Sequence, residues 1–401
     1  MPKLAIDGGP PVRTTPMAPW PCFDQEIIDR VSAILRSGKV NYWTGGEGRG
    51  FEQEFAAFVE RKHGIALANG TLALELALRV LGIGPGDDVV VSCRTFVASA
   101  SCAAMCGARP VFADVDPESQ NTTADTIRAA LTPNTKAIIA VHLAGWPCEM
   151  DDIMQLASER DIVVIEDCAQ CHGAMYKGRP AGAFGHMAAF SFCQDKIMTT
   201  GGEGGLLVLD DDELYERAWS FKDHGKSYDA VHRRSHPPGF RWLHETIGTN
   251  WRMTEMQAAI GRVMLGRLPG WVQLRRRYAQ MLNEHFSDLG ALRLTIPPDH
   301  IHHSYYKYYA FVRPERLKPG WDRDRIMNAV SAEGVPCFSG ICPEVYREGA
   351  FAAAGGDMPR LAAARAMGET SLMLLVHPSL SEEEIRDTQR AVAKVAEAAV
   401  Q

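Results

Sequence analysis

Between residues 65 and 167, short apolar runs alternate regularly with helical patterns. Strands are predicted at 65–68, 88–92, 110–114, 136–142 and 162–167, with a helix between each pair. Apolar strands that alternate with helices favour a parallel sheet covered by helices on both faces. Two further apolar runs, MAAFSF from residue 187 and GGLLVL from residue 204, extend the sheet to about seven strands, with room for one antiparallel strand. The chain is therefore predicted to be an α/β protein with a mostly parallel sheet.

The remaining patterns divide the chain into three parts. These are an irregular proline-rich segment (1–20), a large α/β domain (21–262) and a smaller α+β domain (263–401). We expect a long polar loop at 223–250 and a helix at 253–286 that is interrupted near Pro269, because proline breaks helix hydrogen bonding. The other predicted features are a glycine-rich loop at 41–50, a strand at 305–312, and helices at 23–37, 51–61, 72–81, 97–106, 123–131, 150–160, 212–221, 324–333 and 381–399.

The composition of this 401-residue chain is ordinary for a globular protein, with 46% apolar and 23% charged residues. Its net charge of -7 gives no electrostatic reason to expect nucleic acid or an acidic membrane surface as a partner. No apolar run reaches the roughly 18 residues that span a bilayer, and the first residues lack the apolar core of a signal peptide. We therefore expect a soluble cytoplasmic protein.

The ten cysteines do not suggest a disulfide framework in so long a chain. Cys168 and Cys171 form a C-x-x-C pair just after a predicted strand, which raises the question of a redox or zinc site. No second C-x-x-C accompanies the pair. We therefore expect two buried thiols and no metal.

Lys196 stands between the two apolar runs, beside glycines at 201, 202, 204 and 205. A lysine flanked by buried strands is costly as a cation unless it is paired. Loss of hydration favours the free amine, which is a nucleophile. The alternative is a hairpin with an exposed lysine at its tip, since glycine-rich turns with a lysine are common.

Ligands of doubly wound sheets bind outside the carboxyl ends of the strands, so the polar residues there are candidates for a site. Asn69, Gly70 and Thr71 follow the first strand and open a helix, where N–H groups and a hydroxyl suit a phosphate. An ordinary N-cap is the alternative. Phe96 follows the second strand and either stacks on a planar ring or belongs to the core.

The fifth strand ends in adjacent carboxylates, Glu166 and Asp167, which point to opposite faces of the sheet. Asp167 lies where a ligand is expected and either keeps a pyridine nitrogen protonated or caps the following turn. Gln170 and His172 are close enough in sequence to reach the same ligand. A phosphate cradle, a stacking ring, an anion for a ring nitrogen and a lysine amine are together what pyridoxal phosphate requires.

At these positions the sequence resembles the DegT/StrS-type sugar aminotransferases, which have the fold type I pyridoxal-phosphate architecture. The resemblance covers nearly the whole chain. Its anchors are ANGTLALELAL (68–78), TFVASA (95–100), AVHLAGWPCEM (140–150), VIEDCAQCHGA (164–174), FSFCQDKIMTTGGEGG (190–205), GTNWRMTEMQAAIG (248–261) and HPSLSEEEI (377–385). The lysine motif and the NWRMTEMQAAIG motif are specific when found together.

The resemblance implies a role for each candidate. Lys196 would form the Schiff base with the cofactor, Asp167 would pair with the pyridine nitrogen, and Phe96 would stack on the ring.

The phosphate and ring-oxygen contacts follow from the same resemblance. Gly70, Thr71 and Ser191 would hold the phosphate, and Gln170 would lie near the ring oxygen. Asn250 would reach the phosphate bound by the neighbouring subunit, so the active unit would be a homodimer.

The resemblance further implies glutamate or glutamine as amino donor and a keto-sugar, usually nucleotide-linked, as acceptor. A keto-inositol acceptor is the alternative within the family. Members of the family often have serine where this chain has Asn69. Residues 226–247 are longer and more basic than the usual connection, so Arg233, Arg234 and Arg241 either meet a diphosphate or belong to a solvated loop.

Three other functions have less support than the aminotransferase. A cofactor-dependent sugar dehydratase of the same family has histidine in place of the lysine, so Lys196 argues against it. A regulator or sensor that binds cofactor without turnover lacks support from a basic face or DNA-binding appendage. A nucleotide-binding module that uses GGEGG lacks the G-x-x-x-x-G-K-[ST] pattern.

Overall fold

A seven-stranded sheet is the centre of the computed structural model, which describes residues 3–351 and 358–400. The strand order is β1-β9-β8-β5-β4-β2-β3, and β9 runs in the direction opposite to the other six strands. The mostly parallel sheet with one antiparallel strand is as predicted. Strands β6 and β7 form a small ribbon outside this sheet. The first nine strands are β1 (His63–Leu67), β2 (Asp88–Ser92), β3 (Arg109–Ala113), β4 (Thr135–Val141), β5 (Val163–Asp167), β6 (Met175–Tyr176), β7 (Arg179–Pro180), β8 (Met187–Ser191) and β9 (Gly205–Leu209).

Helices cover both faces of this sheet. Val89 and Val91 of β2 point into one core with α3 and α4, whereas Val90 points into the opposite core with α5 and α6. All three valines are almost completely buried. Alternate residues that enter two cores explain the continuous apolar strands of the sequence. The helices are α1 (Gln25–Ser37), α2 (Glu47–Phe58), α3 (Gly70–Val80), α4 (Ala98–Met105), α5 (Ala124–Ala130), α6 (Met150–Ser158), α7 (Asp212–Lys222), α8 (Tyr228–His232), α9 (Glu255–Phe286), α10 (Arg323–Ala332), α11 (Ala362–Thr370) and α12 (Glu382–Ala399).

The C-terminal part of the chain forms a second, antiparallel sheet in the order β10-β12-β14-β13. Its apolar face packs against α10, α12 and the end of α9 in one continuous core. The predicted capping box at the start of α12 is present, because Ser381 and Glu384 each accept the other's backbone N–H. The strands of this part are β10 (Leu292–Leu294), β11 (Ile301–His302, paired with β6), β12 (Tyr308–Val312), β13 (Cys337–Phe338) and β14 (Ser371–Leu374).

The predicted loop at 41–50 is partly wrong, because α2 begins inside it at Glu47. The buried carboxylate of Glu255 accepts the backbone N–H groups of Glu47 at 2.6 Å and Gly48 at 3.0 Å. These are among the N–H groups that the first turn of a helix leaves unpaired. A cap supplied from 208 residues away thus starts the helix earlier than the local sequence indicates.

The predicted interruption near Pro269 is wrong, because α9 continues through it from Glu255 to Phe286. Pro269 is exposed, while Leu268 and Val272 on either side are buried in one core. Packing on both sides of the proline outweighs the lost helix hydrogen bond. The predicted domain boundary at 262–263 lies inside this helix.

Two irregular stretches have more structure than predicted. The loop at 223–250 contains the short helix α8, capped by the Ser227 side chain. In the N-terminal segment, residues 5–7 form a 3-10 turn, and the backbone N–H groups of Ala5 and Val12 are bound by Glu333 of the C-terminal part. Residues 1, 2, 352–357 and 401 lie outside the described part of the chain. Among helices that are described, none is long and apolar enough to cross a membrane.

Candidate active site

A cavity of about 630 Å³ opens at the carboxyl ends of the parallel strands, where the sequence predicts the site. The turn that carries Lys196 closes one side, and Tyr306 and Ile341 enter from the C-terminal part. Seven of the eight predicted site residues line this cavity: Gly70, Thr71, Phe96, Asp167, Gln170, Ser191 and Lys196.

The start of α3 and the end of β8 form a narrow cradle. A Cβ built on Gly70 would lie 2.6 Å from the Cβ of Ser191, so only glycine permits this approach. Asn69 is the N-cap, since its Oδ1 accepts the N–H of Leu72 at 3.0 Å. The capping alternative therefore applies to Asn69, while Thr71 is exposed and lines the cavity.

Asp167 is buried at the base of the cavity. Ser99 donates its hydroxyl to Asp167 Oδ2 at 2.7 Å, and the Ala169 N–H donates to Oδ1 at 3.1 Å. The Ser99 hydroxyl also lies 2.7 Å from Thr95 Oγ1. Burial raises the pKa of Asp167, and these hydrogen bonds only partly offset the effect. A cationic group placed beside this carboxylate would stabilise its ionised form.

Glu166 points to the opposite face, as predicted. Its carboxylate accepts three backbone N–H groups, from Gly182, Phe184 and Gly185, at 2.6–2.8 Å, and it lies 2.9 Å from His142 Nε2. Burial works against ionisation of Glu166, but the contacts with His142 and the backbone outweigh it and lower its pKa. Glu166 therefore stabilises the fold on the opposite face of the sheet, while Asp167 lines the cavity.

Lys196 lies in the turn between β8 and β9, with its side chain mostly shielded from solvent. Its Nζ is 3.7 Å from Asp195 Oδ1 and 5.0 Å from the centre of the Tyr306 ring. Tyr306 in turn donates its hydroxyl to Asp195. The amine is thus neither at an exposed hairpin tip nor fixed in a close ion pair, so it is available to a ligand in the cavity.

Phe96 and Gln170 lie on the walls of the cavity. Phe96 is 58% exposed, so the core alternative is wrong and the ring is accessible to a planar ligand. Gln170 Oε1 accepts the N–H of Ala144 at 2.9 Å, which fixes the side chain.

The expectation that His172 reaches the ligand is wrong. His172 is fully buried between the rings of Phe190 and Phe192, and it does not line the cavity. Burial lowers the pKa of His172 to about 3, so the imidazole is neutral.

Cys168 and Cys171 are buried as expected, and burial raises the pKa of each thiol. The ligand atoms of these two residues and of His142 lie within 4.8 Å of one another. Both ring nitrogens of His142 are already engaged, because Nδ1 accepts the N–H of Cys148 and Nε2 contacts Glu166. The side chains of His142, Cys168 and Cys171 are therefore part of the packed interior of the protein.

Asn250 is the predicted site residue that does not line the cavity of its own chain. It is exposed and pairs through its backbone with Asp223. Thr254, with Gln257, forms the capping box of α9, so Asn250 does not cap this helix.

Two of the loop arginines are engaged on the protein surface. Arg233 pairs with Glu216, and Arg234 pairs with Asp229 at 2.6 Å and Glu245 at 3.1 Å. These contacts fit the solvated-loop interpretation for both residues.

Ser99 and Tyr306 line the cavity but are not among the site residues that the sequence predicts. Ser99 lies in the first turn of α4, and its hydroxyl meets that of Thr95, which precedes the helix, at 2.7 Å. Tyr306 lies 110 residues after Lys196 in an aromatic run that indicates a strand. Only the tertiary fold brings it to the lysine.

The comparisons with known proteins agree with this geometry. The sequence pattern of the DegT/DnrJ/EryC1/StrS aminotransferase family matches residues 21–393. The chain belongs to this family. A solved aminotransferase from Psychrobacter cryohalolentis is 51% identical and superimposes with a TM-score of 0.93, over 95% of this chain and 98% of that chain. The predicted family, fold and aminotransferase activity are therefore confirmed.

Two curated relatives are each 36% identical to the chain. One is the L-glutamine:2-deoxy-scyllo-inosose aminotransferase of Streptomyces kanamyceticus, matched over 85% of this chain and 81% of the relative. The other is the UDP-N-acetyl-3-dehydro-alpha-D-glucosamine 3-aminotransferase of Acidithiobacillus ferrooxidans, matched over 90% and 91%. The first relative acts on an inosose and the second on a nucleotide-linked sugar.

Pyridoxal phosphate is the cofactor of this DegT-family aminotransferase, as predicted. Two features of the cavity fit it. The cradle between Gly70 and Ser191 leaves room that a single Cβ would fill. The buried carboxylate of Asp167, with its raised pKa, suits a protonated ring nitrogen.

Proposed function

We propose that this chain transfers an amino group from glutamate or glutamine to a keto-sugar, nucleotide-linked in its usual form, in amino-sugar biosynthesis. The observation that carries the proposal is the cavity in which Asp167 and Lys196 meet at the carboxyl ends of the strands. A buried anion and an available amine in one cavity are the pair of groups that amine transfer through pyridoxal phosphate needs.

Each residue has a distinct task in this proposal. When bound, the cofactor supplies an electron sink for the substrate carbon that loses a proton. Lys196 would hold the cofactor through its amine, and that amine would also move a proton to and from the substrate carbon as general base. Asp167, oriented by Ser99, would hold a proton on the ring nitrogen. Phe96 would cover the face of the ring.

The cradle would hold the phosphate of the cofactor. N–H groups at the start of α3, including those of Gly70 and Thr71, would bind this anion, and the helix dipole would favour it. Ser191 adds a hydroxyl. Gln170, whose side chain is fixed by the Ala144 N–H, would lie near the ring oxygen.

The acceptor class is tested by a substrate panel. Purified enzyme is given glutamate or glutamine with nucleotide-linked keto-sugars or keto-inositols, and loss of the keto form is followed. We expect turnover of a nucleotide-linked keto-sugar. A keto-inositol is the second candidate, because the Streptomyces kanamyceticus relative at 36% identity acts on an inosose. Cofactor binding without turnover of any acceptor would favour a sensor and contradict the proposal.

The same proposal includes a homodimer with shared active sites. Asn250 is exposed and lies outside the cavity of its own chain, which suits a contact with a second copy. The loop that leads to it carries Phe240, Trp242 and Ile247, which are 79%, 86% and 92% exposed. Large apolar side chains grouped on a surface are typical of an interface. A symmetric dimer would use the same surface of both copies.

Complementation tests the shared site. Lys196→Ala subunits are mixed with Asn250→Ala subunits under conditions that allow exchange. A mixed dimer would hold one site with both changes and one site with neither. We therefore expect activity to recover to about a quarter of wild type at equal mixing.

The control is each variant exchanged with itself, which should stay inactive. Native mass spectrometry establishes that mixed dimers have formed. Mixed dimers without recovered activity would mean that each subunit builds its site alone.

A further inference from the structure

The N-terminal strap, residues 3–24, crosses the C-terminal part of the chain and ends beside the active-site turn. Arg13 pairs with Glu384 at 3.0 Å and with Asp387 at 2.9 Å. Closer to the site, Ser379 donates its hydroxyl to the carbonyl of Pro19 at 2.6 Å. The strap is therefore fixed at several points before it reaches the turn.

Trp20 is the residue of the strap that meets this turn. Its indole Nε1–H donates to the backbone carbonyl of Lys196 at 2.8 Å, across 176 residues of sequence. The indole ring packs edge-on against Trp271 at 5.2 Å, lies parallel to His377 at 6.1 Å, and faces the guanidinium of Arg275 at 5.5 Å. The donor is thus held in place by rings and a cation from α9 and the segment after β14.

With the hydrogen bond from Trp20, both polar groups of the Lys196 backbone are bonded. The Lys196 N–H donates to the carbonyl of Cys193 at 3.1 Å within the local turn. The next residues, Ile197 and Met198, are fully buried. Trp20 binds the remaining polar group of the Lys196 backbone, so the side chain is the part left free to move.

We propose that Trp20 is a positioning residue, which fixes the Lys196 backbone so that Nζ reaches the cofactor and the substrate carbon from one defined origin. The inference rests on the proposed role of Lys196. When the backbone of a lysine is fixed, its amine samples few positions. When the turn that carries the lysine is mobile, the amine samples many more. The strap thereby belongs to the active site, although Trp20 lies outside the group of residues that line the cavity.

The test compares Trp20→Phe with Trp271→Phe. The first variant keeps an aromatic ring in the cluster but removes the N–H donor. The second shrinks the same cluster and leaves the Trp20 donor in place. Pyridoxal phosphate is added to each apoprotein, and its covalent attachment is followed by absorbance and by borohydride trapping. Steady-state kinetics and thermal unfolding are measured on the same preparations.

We expect Trp20→Phe to slow attachment and to lower kcat by about fivefold each, the change that corresponds to one lost hydrogen bond. The KM for the amino donor should change little, because Trp20 is outside the group of residues that line the cavity. Trp271→Phe should attach the cofactor at nearly the wild-type rate. Attachment at the wild-type rate by Trp20→Phe, or an equal loss in both variants, would overturn the inference.

A third variant, Ser379→Ala, tests the same inference if Trp20→Phe does not fold. It leaves Trp20 intact and loosens the strap at Pro19, so we expect a smaller change in the same direction. Attachment as fast as in wild type would count against the strap. Peptide mapping after borohydride reduction separates the two hypotheses. An adduct away from Lys196 contradicts the proposed function, whereas an adduct on Lys196 with unchanged rates contradicts only the role of Trp20.

Discussion

Replacement of Lys196 by alanine is expected to lower transamination by about a thousandfold or more, the loss typical of a missing general base. The variant should still bind pyridoxal phosphate, weakly, because the phosphate cradle and Asp167 remain. In the wild-type enzyme, borohydride reduction and peptide mapping should place the adduct on Lys196. The physical reason is position, since Lys196 lines the cavity and its amine lies 3.7 Å from Asp195 Oδ1, too far for a tight ion pair.

Lys307 is the competitor in this experiment. Its Nζ lies 4.8 Å from the centre of the Tyr306 ring, on which Lys196 also packs. Burial lowers the pKa of Lys307 to about 8, so a fraction of its amine is free at neutral pH. Lys307 is outside the group of residues that line the cavity. An adduct on Lys307, or full activity in Lys196→Ala, would contradict the assignment. Lys177→Ala, at an exposed ion pair, is the control.

The sequence predicts best what local residues determine. Strand β2 is predicted at 88–92 and spans Asp88–Ser92. The start of α12 is predicted from Ser381 and Glu384, and the capping box is present. Both features depend on neighbouring residues in the chain. The placement of Asp167 in the site is also predictable, because it ends a parallel strand and ligands bind at the carboxyl ends of such strands.

The features that the sequence does not predict depend on residues distant along the chain. Glu255 starts α2 from 208 residues away. Tyr306 and Trp20 approach the Lys196 turn from the C-terminal part and from the N-terminal strap. The local sequence predicts a helix break at Pro269, but packing of the residues on both sides of it keeps α9 continuous. In each case a tertiary contact decides the outcome, and no window of neighbouring residues contains both partners.

Asp167→Asn is expected to lower turnover by at least about a hundredfold, or roughly 3 kcal/mol of transition-state stabilisation. The amide cannot offer the charge that holds a proton on the ring nitrogen. The substitution should not harm folding. Because burial raises the pKa of Asp167, the folded apoprotein loses stability as the pH rises through the unfolded-state value toward the folded-state value. Asparagine removes this cost, so at neutral pH the apoprotein should unfold at no lower temperature than wild type.

Glu166→Gln is the matched control, because the two carboxylates are adjacent in sequence and lie on opposite faces of the sheet. The glutamine side chain would keep one acceptor for the three N–H groups that Glu166 binds, so unfolding should become easier by roughly 2 kcal/mol. The absorbance of the bound cofactor should stay as in wild type. Asp167→Asn should show the reverse, with an altered cofactor spectrum and unimpaired stability. Near-normal turnover in Asp167→Asn with cofactor fully bound would show that Asp167 does not tune the ring, because only its charge has been removed.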